Sequence, residues 1–268
     1  MLHAVAVWNY AYEGADAIEV IDALLDAGFD AISHSTHPLS HLPHSEVERI
    51  AAHLVARDVP ATLHSSPAIE SADLERVVTP FLPTLRCVTF DPVLDAHPQG
   101  SVYAAAHLAR RVCEALDLTA GTQVRVGVED FPINADAMGT FADELAPVAG
   151  DPRWGILIDI GHMHMRLCGE GYYAGMTVAE HLAQVPLEII ELHVHDNNGQ
   201  ADQHAPLGAG TVDFTEVAAA VCDAGFDGVS TSEIVPRGQG VESLKEAIPL
   251  ARRSLEYWRQ VLERATMG

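Results

Sequence analysis

The chain has 268 residues and carries 38 acidic side chains against 15 lysines and arginines, which gives a formal net charge of −23. Its length suits one large α/β domain, and 48% hydrophobic with 20% charged residues excludes an intrinsically disordered chain. The negative charge repels a phosphate backbone at long range, so we expect no nucleic-acid partner.

The numbers of lysine, cysteine and histidine residues restrict the classes of reaction and binding site that we expect. Lys245 is the single lysine, so Schiff-base chemistry and a phosphate-binding P-loop are disfavoured. The four cysteines are far apart and form no C-x-x-C pair, which argues against thiolate zinc sites and a disulfide framework. The 15 histidines are the positive sign of function in the composition. With no signal-peptide pattern and no apolar stretch of about 18 residues, we expect a soluble cytoplasmic protein with no membrane partner.

Short apolar runs alternate along the chain with longer runs of helical period. Most of the short runs are apolar throughout, as strands covered on both faces should be. The predicted strands are residues 4–8, 31–34, 61–65, 87–91, 123–129, 155–160, 189–195 and 228–233. The predicted helices are residues 15–27, 45–57, 71–81, 104–118, 136–148, 178–185, 214–224 and 241–264.

Eight strands and eight helices in strict alternation predict βαβ units, and eight such units in this length favour an α/β fold of the (β/α)8 TIM-barrel type. The phrase Asp-Ala-Gly-Phe-Asp, at 26–30 and again at 223–227, supports this because it reads as a helix ending at a glycine before a strand. A doubly wound open sheet would usually carry a glycine-rich first turn, and none follows Trp8. No linker divides the chain, so we predict one barrel over residues 1–268.

Chemistry in a TIM barrel sits at the carboxyl ends of the strands. Seven consecutive predicted strands, the second to the eighth, end in a carboxylate or an imidazole. These residues are His34, His64, Asp91, Glu129, Asp159 with His162 just beyond it, His193 with His195, and Glu233. Buried carboxylates without a charge partner are costly, and no lysine is available to neutralise them. A divalent metal does so, and oxygen and imidazole ligands suit Mn²⁺, Mg²⁺, Co²⁺, Zn²⁺ or Fe²⁺.

Two local motifs add to these strand ends. Asp159-Ile-Gly-His162 places an imidazole three residues after a carboxylate, as the strand passes into its loop. In the loop after the seventh strand, Asp202-Gln-His204 supplies a second such pair before the glycine-containing run 206–210. We expect that run to hold the loop over the barrel mouth. Each motif alone is weak evidence for a metal site. Together, and in register with the strand ends, the two motifs are specific evidence for one.

Several nearby residues have two or more interpretations. His195 is a ligand, a hydrogen-bonded neighbour of one or a residue that contacts substrate, and His34 either contacts substrate at the rim or lies in a solvated loop. Arg166 and Arg237 are the cations near the predicted mouth, and each is a candidate for holding an anionic substrate group. Asp196 orients a ligand, caps a turn or binds metal.

The residues at these positions resemble the xylose isomerase-like TIM barrel superfamily, which groups sugar phosphate isomerases and epimerases with endonuclease IV-like enzymes. The resemblance is most specific in Val128-Glu129, Leu157-Ile-Asp-Ile-Gly-His162, Leu192-His-Val-His-Asp196, the run 202–210 and Thr231-Ser-Glu233. It implies a metal held by Glu129, Asp159, His193 and Glu233. His193 is favoured over His195 because the family's ligand precedes an acidic residue by three positions. The resemblance also implies Glu129 and Glu233 as the catalytic acid and base.

The endonuclease branch of the superfamily implies two further metals. One would be held by His64, Asp91 and the shared Glu129. The other would be held by His162, Asp202 and His204. The sequence departs from that branch because Asp91 stands where the branch has a histidine, and aspartate is still able to bind zinc. It departs from the epimerase branch because Gly199 stands where an arginine usually grips the substrate.

The resemblance implies a divalent-metal-dependent isomerase or epimerase that acts on a small sugar, sugar phosphate or polyol by metal-assisted proton transfer. The cofactor would be Mn²⁺, Zn²⁺, Mg²⁺ or Co²⁺, with one to three ions per chain, and His64 and His162 would bind substrate hydroxyls. The alternatives are a multinuclear phosphodiesterase or phosphatase, a lyase or dehydratase of the same superfamily, and a barrel that binds a sugar without turnover. Self-association into a homo-oligomer stays open.

Overall fold

The computed structural model describes residues 1–91, 105–130, 146, 150–185 and 187–267. Within these residues eight strands form one closed barrel in chain order, which confirms the predicted (β/α)8 fold. The strands are β1 (Leu2–Ala6), β2 (Ala31–Ser35), β3 (Ala61–Ser65), β4 (Leu85–Phe90), β5 (Arg125–Glu129), β6 (Trp154–Asp159), β7 (Ile189–Val194) and β8 (Val229–Ser232). Each lies within two residues of its predicted bounds.

Helices follow most of these strands in the described part of the chain. They are α1 (Ala17–Asp26), α2 (Thr36–Ser40), α3 (His44–Ala56), α4 (Ser71–Phe81), α5 (Ala105–Leu118), α6 (Ile160–Cys168), α7 (Val178–Leu182), α8 (Phe214–Asp223) and α9 (Leu244–Met267). Apart from residue 146, the helix predicted at 136–148 lies outside the described residues. None of the described helices is both long and apolar enough to cross a membrane.

Two of the described helices, α2 and α6, occupy segments for which no helix was predicted. α6 begins directly after β6 because the Asp159 carboxylate caps it, accepting a hydrogen bond from the backbone N–H of His162 at 2.7 Å. His162 therefore lies in the first turn of a helix and not in a loop. Its position is set by the strand and the helix together.

Contacts within the chain divide it into two compact units, Met1–Ile32 with Ile158–Gly268, and Ser33–Leu157. In the first unit β7 and β8 pair in parallel, with His193 beside Thr231, and β8 pairs in parallel with β1. Trp258 of α9 is buried and its indole N–H donates to Ser230 Oγ at 2.8 Å. This hydrogen bond ties α9 to the strand that leads to Glu233.

In the second unit β3, β4, β5 and the first part of β6 pair in parallel. His64 lies beside Thr89 in this register, and Glu129 lies beside Leu157. Every residue of β3 is buried, and so are the last four residues of β4 and of β5, as expected for parallel strands covered on both faces. The register carries His64 and Glu129 to the carboxyl ends of their strands.

Candidate metal centre

Asp159, His193 and Glu233 form a buried group, here called the Asp159 cluster, at the carboxyl ends of β6, β7 and β8. His193 Nδ1 lies 3.1 Å from a Glu233 carboxylate oxygen and 4.0 Å from an Asp159 carboxylate oxygen. The backbone N–H of Glu233 donates to the carbonyl of Val194 at 3.1 Å, which holds Glu233 against β7. Ligand atoms of the three side chains lie within 4.8 Å of one another. Two carboxylates and an imidazole are a donor set that divalent transition metals accept.

Both carboxylates of the Asp159 cluster are ionised at neutral pH. Burial by itself raises the pKa of Asp159, but the imidazoles of His195, His162 and His193 outweigh it and hold that pKa well below its ordinary value. Burial also raises the pKa of Glu233, and the imidazoles of His193 and His204 bring it down to about 2. The site therefore holds its carboxylates in the charged form that binds a cation.

A second group, here called the Asp202 cluster, surrounds the carboxylate of Asp202. The Nε2 atom of His204 lies 3.0 Å from an Asp202 oxygen, that of His162 lies 3.3 Å away, and that of His195 lies 3.7 Å away. Ligand atoms of these four residues lie within 4.8 Å of one another. The structure thus brings together His162, Asp202 and His204, the set that the resemblance implied, and adds His195. Metal binding by this set stays a prediction.

The orientation of the His204 ring is set by the backbone. Its Nδ1 lies 2.9 Å from the carbonyl oxygen of Glu233, and because a carbonyl only accepts, Nδ1 carries the proton. Nε2 then faces Asp202, so a proton or a cation is needed between two acceptors 3.0 Å apart. His204 has a φ of 42°, a left-handed conformation that costs a non-glycine residue on the order of 1–2 kcal/mol. In this strained conformation the His204 ring lies between the Glu233 carbonyl and the Asp202 carboxylate.

The His204–Asp202 contact makes the stability of the metal-free protein depend on pH. Burial lowers the pKa of His204, but the carboxylates of Asp202, Glu233 and Asp159 raise it to about 9, against 6.5 for a free histidine. A raised pKa contributes stability that is complete below pH 6.5 and is lost as the pH rises through about 9. We expect the free energy of unfolding in chelator to fall by about 1–3 kcal/mol between pH 6.5 and 10.

This pH dependence is measured by urea unfolding in the presence of EDTA. His204→Ala is the control, because it removes the titrating ring and leaves every other group that ionises over the same range. The variant should show a flatter dependence than the wild type. An equal slope in the two proteins would mean that His204 does not carry the effect.

His195 lies between the two clusters. Its Nε2 is 3.0 Å from an Asp159 oxygen, and its ring stacks on that of His204 with centroids 4.0 Å apart. The ring occupies the space where a Cβ at position 161 would be, so only glycine fits there. His195 is fully buried. This placement is compatible with a ligand or with a residue that orients Asp159, and a contact with substrate stays a prediction.

In the Ser33–Leu157 unit the structure brings together the three residues predicted to bind a further metal. His64 Nε2 lies 2.9 Å from an Asp91 oxygen and 3.4 Å from a Glu129 oxygen. Its Nδ1 lies 3.1 Å from Thr89 Oγ1. Glu129 is buried, whereas the Asp91 side chain is 39% exposed. An imidazole between two carboxylates is compatible with a cation site, and metal binding there stays a prediction.

Three other residues predicted to contact substrate have different surroundings. His34 is buried against Phe81 of α4, with ring centroids 5.2 Å apart, and burial lowers its pKa to about 3. The structure thus places His34 in the core beside α4 and not in a solvated loop, and its contact with substrate stays a prediction. Arg237 is exposed and lies 4.6 Å over the ring of Tyr12, so its role in binding an anion stays a prediction. Arg166 lies in the last turn of α6, and its role also stays a prediction.

Asn197 is a buried residue of this region that the sequence analysis missed. Its side-chain N–H donates to the carbonyl of Gly161 at 2.8 Å, and its side-chain oxygen accepts from the N–H of Gly199 at 2.8 Å. It therefore ties the loop after β7 to the first turn of α6. The signal that was available is the run Asp-Asn-Asn-Gly at 196–199, because these residue types favour turns capped by side chains.

Comparison with known proteins gives one family and one curated relative. The model of the xylose isomerase-like TIM barrel family matches residues 85–261. The chain is 30% identical over 125 residues to the uncharacterized protein MJ1311 of Methanocaldococcus jannaschii, which is 45% of this chain and 40% of that protein. The match thus spans less than half the length of the curated relative.

Solved structures share the fold over the whole chain. D-psicose 3-epimerase from Clostridium cellulolyticum H10, solved with D-tagatose, is 12% identical with a TM-score of 0.66, and the match covers 98% of this chain and 99% of that one. The IolI protein, solved with a zinc atom, is 16% identical with a TM-score of 0.63, and the match covers 99% of both chains. At these identities the similarity shows the fold alone.

Proposed function

Because the chain belongs to the xylose isomerase-like TIM barrel family, we propose that it is a divalent-metal-dependent isomerase or epimerase acting on a small sugar, sugar phosphate or polyol. The observation that carries this proposal is the Asp159 cluster, in which Asp159, His193 and Glu233 present ligand atoms within 4.8 Å. Proteins of the same fold support it, since one is a D-psicose 3-epimerase and another was solved with zinc.

The chemistry of the donor set fits a divalent metal. Two ionised carboxylates in a buried site cost free energy that a cation offsets, and oxygen and nitrogen donors suit Mn²⁺, Zn²⁺, Mg²⁺ or Co²⁺. When bound, such an ion would polarise adjacent carbonyl and hydroxyl oxygens of a sugar and acidify the C–H between them. The resemblance adds Glu129 as a further ligand, and that assignment is part of the proposal.

Proton transfer is the step that we assign to side chains. Glu233 is ionised at neutral pH, so it has a free carboxylate, and we assign to that carboxylate the uptake of the proton released from the substrate carbon. A proton must then return, either to the neighbouring carbon in an isomerisation or to the opposite face of the same carbon in an epimerisation. On the resemblance we assign this return to Glu129. His162 and His64 would hold substrate hydroxyls.

The proposal is tested on the purified wild-type protein. Its metal content is measured, and the protein is then stripped with a chelator and reloaded with each of the four metals. Every form is incubated in D2O with ketopentoses, ketohexoses and their phosphates and followed by proton NMR. We expect an isomer or epimer and deuterium at one carbon in reloaded protein only. Equal exchange in stripped and reloaded protein, or none across the panel with metal bound, would contradict the proposal.

A multinuclear phosphodiesterase or phosphatase is the second candidate, and the Asp202 cluster favours it. A second set of imidazole and carboxylate donors beside the first is the kind of arrangement that multinuclear phosphoester hydrolysis uses. The net charge of −23 makes a small phosphate ester a better substrate than a nucleic-acid duplex. About three ions per chain and phosphate release from small aryl phosphate esters would support this candidate.

If the protein is instead a lyase or dehydratase of the same superfamily, the same NMR panel would show an unsaturated product.

A further inference from the structure

Asp196 lies two residues after the end of β7, and its carboxylate is fully buried and surrounded by backbone N–H groups. One oxygen accepts from Asn197 at 2.8 Å and from Val212 at 3.1 Å. The other oxygen accepts from Gly208 at 2.9 Å and from Gly210 at 2.8 Å. Four such hydrogen bonds satisfy a buried carboxylate without a cation. The sequence allowed Asp196 to orient a ligand, to cap a turn or to bind metal. This geometry favours the interpretation in which its carboxylate caps a turn by accepting from backbone N–H groups.

Asp196 also closes the loop that carries two members of the Asp202 cluster. The backbones of Asp196 and Ala205 exchange two N–H···O hydrogen bonds of 2.9 Å, so the segment 197–204 leaves and returns at the same point. His204, at the end of that segment, is anchored on both sides. Its carbonyl accepts from the N–H of Val235 at 2.9 Å, and its Nδ1–H donates to the carbonyl of Glu233.

We propose that Asp196 is a positioning residue for the Asp202 cluster. Its carboxylate binds N–H groups that lie before the cluster residues, at Asn197, and after them, at 208–212, and so fixes both ends of the loop that presents Asp202 and His204. The inference deepens the proposed function and rests on it in one respect, since it treats the Asp202 cluster as a cation site. Asp196 itself touches neither metal nor substrate in this assignment.

Asp196→Asn is the informative variant because it keeps the shape of the side chain and removes half of its acceptor capacity. The amide oxygen still accepts on one side, but the NH2 group meets backbone N–H donors on the other and cannot accept from them. Asp213→Asn is the matched control. Asp213 also binds two backbone N–H groups, those of Thr215 and Glu216 at the start of α8, and asparagine caps a helix as well as aspartate does.

The first measurement is Zn²⁺ binding by calorimetry, with His204→Ala used to identify the binding step that belongs to the Asp202 cluster. We expect Asp196→Asn to weaken that step by about 10- to 100-fold and to change the step at the Asp159 cluster by less than about threefold. Asp213→Asn should leave both steps unchanged. The proposal is overturned if Asp196→Asn binds Zn²⁺ at both clusters as tightly as the wild type does. It is also overturned if the variant loses Zn²⁺ affinity equally at both clusters and its circular dichroism spectrum is no longer that of the folded protein.

The second measurement needs no metal and separates this inference from the proposed function. In ¹⁵N-labelled, chelated protein, NMR reports whether the Nδ1 proton of His204 is protected from solvent exchange by the Glu233 carbonyl. We expect protection in the wild type and in Asp213→Asn, and loss of protection in Asp196→Asn. A wild type that binds no ion would refute the proposed function, and the exchange result would still decide the role of Asp196. Unchanged protection in Asp196→Asn overturns that role.

Discussion

Glu233→Gln is expected to lower turnover by about 10³-fold or more on the substrate that the NMR panel identifies. Glutamine keeps the length and shape of the side chain but has no carboxylate to take up a proton, and a general base alone contributes about 10²- to 10⁴-fold. The substitution also removes a negative charge 3.1 Å from His193 Nδ1 in the cluster that we assign to the metal. The effect should therefore fall on kcat and on metal affinity together.

Solvent deuterium exchange and metal content, measured on the same samples, separate those two contributions. Glu256→Gln is the matched control, because it makes the same chemical change at an exposed position on α9, and it should behave as the wild type. A Glu233→Gln protein that is fully loaded with metal and exchanges within about tenfold of the wild type would show that Glu233 is not the base. If Glu233→Gln cannot be loaded with metal, the main role of Glu233 is to bind the metal.

Gly210→Ala is expected to destabilise the protein by about 2–4 kcal/mol and to displace the loop that bears the Asp202 cluster. A Cβ built at this position would lie 2.7 Å from the carbonyl carbon of Asn197 and closer still to the Asn197 oxygen and the Asp196 carboxylate. These neighbours cannot rotate away, because one is backbone and the other is held by four hydrogen bonds. The strain must therefore move the main chain near His204.

Urea unfolding and Zn²⁺ titration measure the two parts of this effect. Gly238→Ala is the control, since a Cβ there meets only the Val235 side chain at an ordinary 3.7 Å. We expect it to change the free energy of unfolding by less than about 1 kcal/mol and to leave zinc binding intact. A Gly210→Ala protein as stable as this control would show that the loop can relax without cost, against the close packing described here.

The location of the candidate site could be predicted because all parallel strands of a barrel present their carboxyl ends on one face. The residues at those strand ends are then the candidate site residues. Asp159 lies at the end of an apolar run, His193 lies one residue before the end of β7, and Glu233 follows the run of β8, so the strand assignments placed all three near strand ends. The choice of His193 over His195 came from the resemblance. The structure brings the three within ligand distance. The same argument predicted His64 and Glu129, which lie 3.4 Å apart in the second unit.

The direction of a side chain on a fully buried strand could not be predicted. Residues 31–34 of β2 are all buried, so no alternation of polar and apolar residues shows which side His34 faces. The structure packs the ring of His34 against Phe81. α6 was missed for a related reason, since its cap, Asp159, reads equally well as the end of a strand.

The sequence by itself determined the order of the eight strands and the carboxylates and imidazoles at their ends, because hydrophobic period and strand-end composition are local properties of the chain. Only the tertiary structure decided which ligand-type residues meet. His162 and Asp202 are 40 residues apart and come together through the Asp196 and Asn197 hydrogen bonds that fold the loop back onto α6. The ring of His204 is oriented by one backbone carbonyl, that of Glu233. Contacts of this kind depend on loop closure between distant segments, which no local pattern in the sequence encodes.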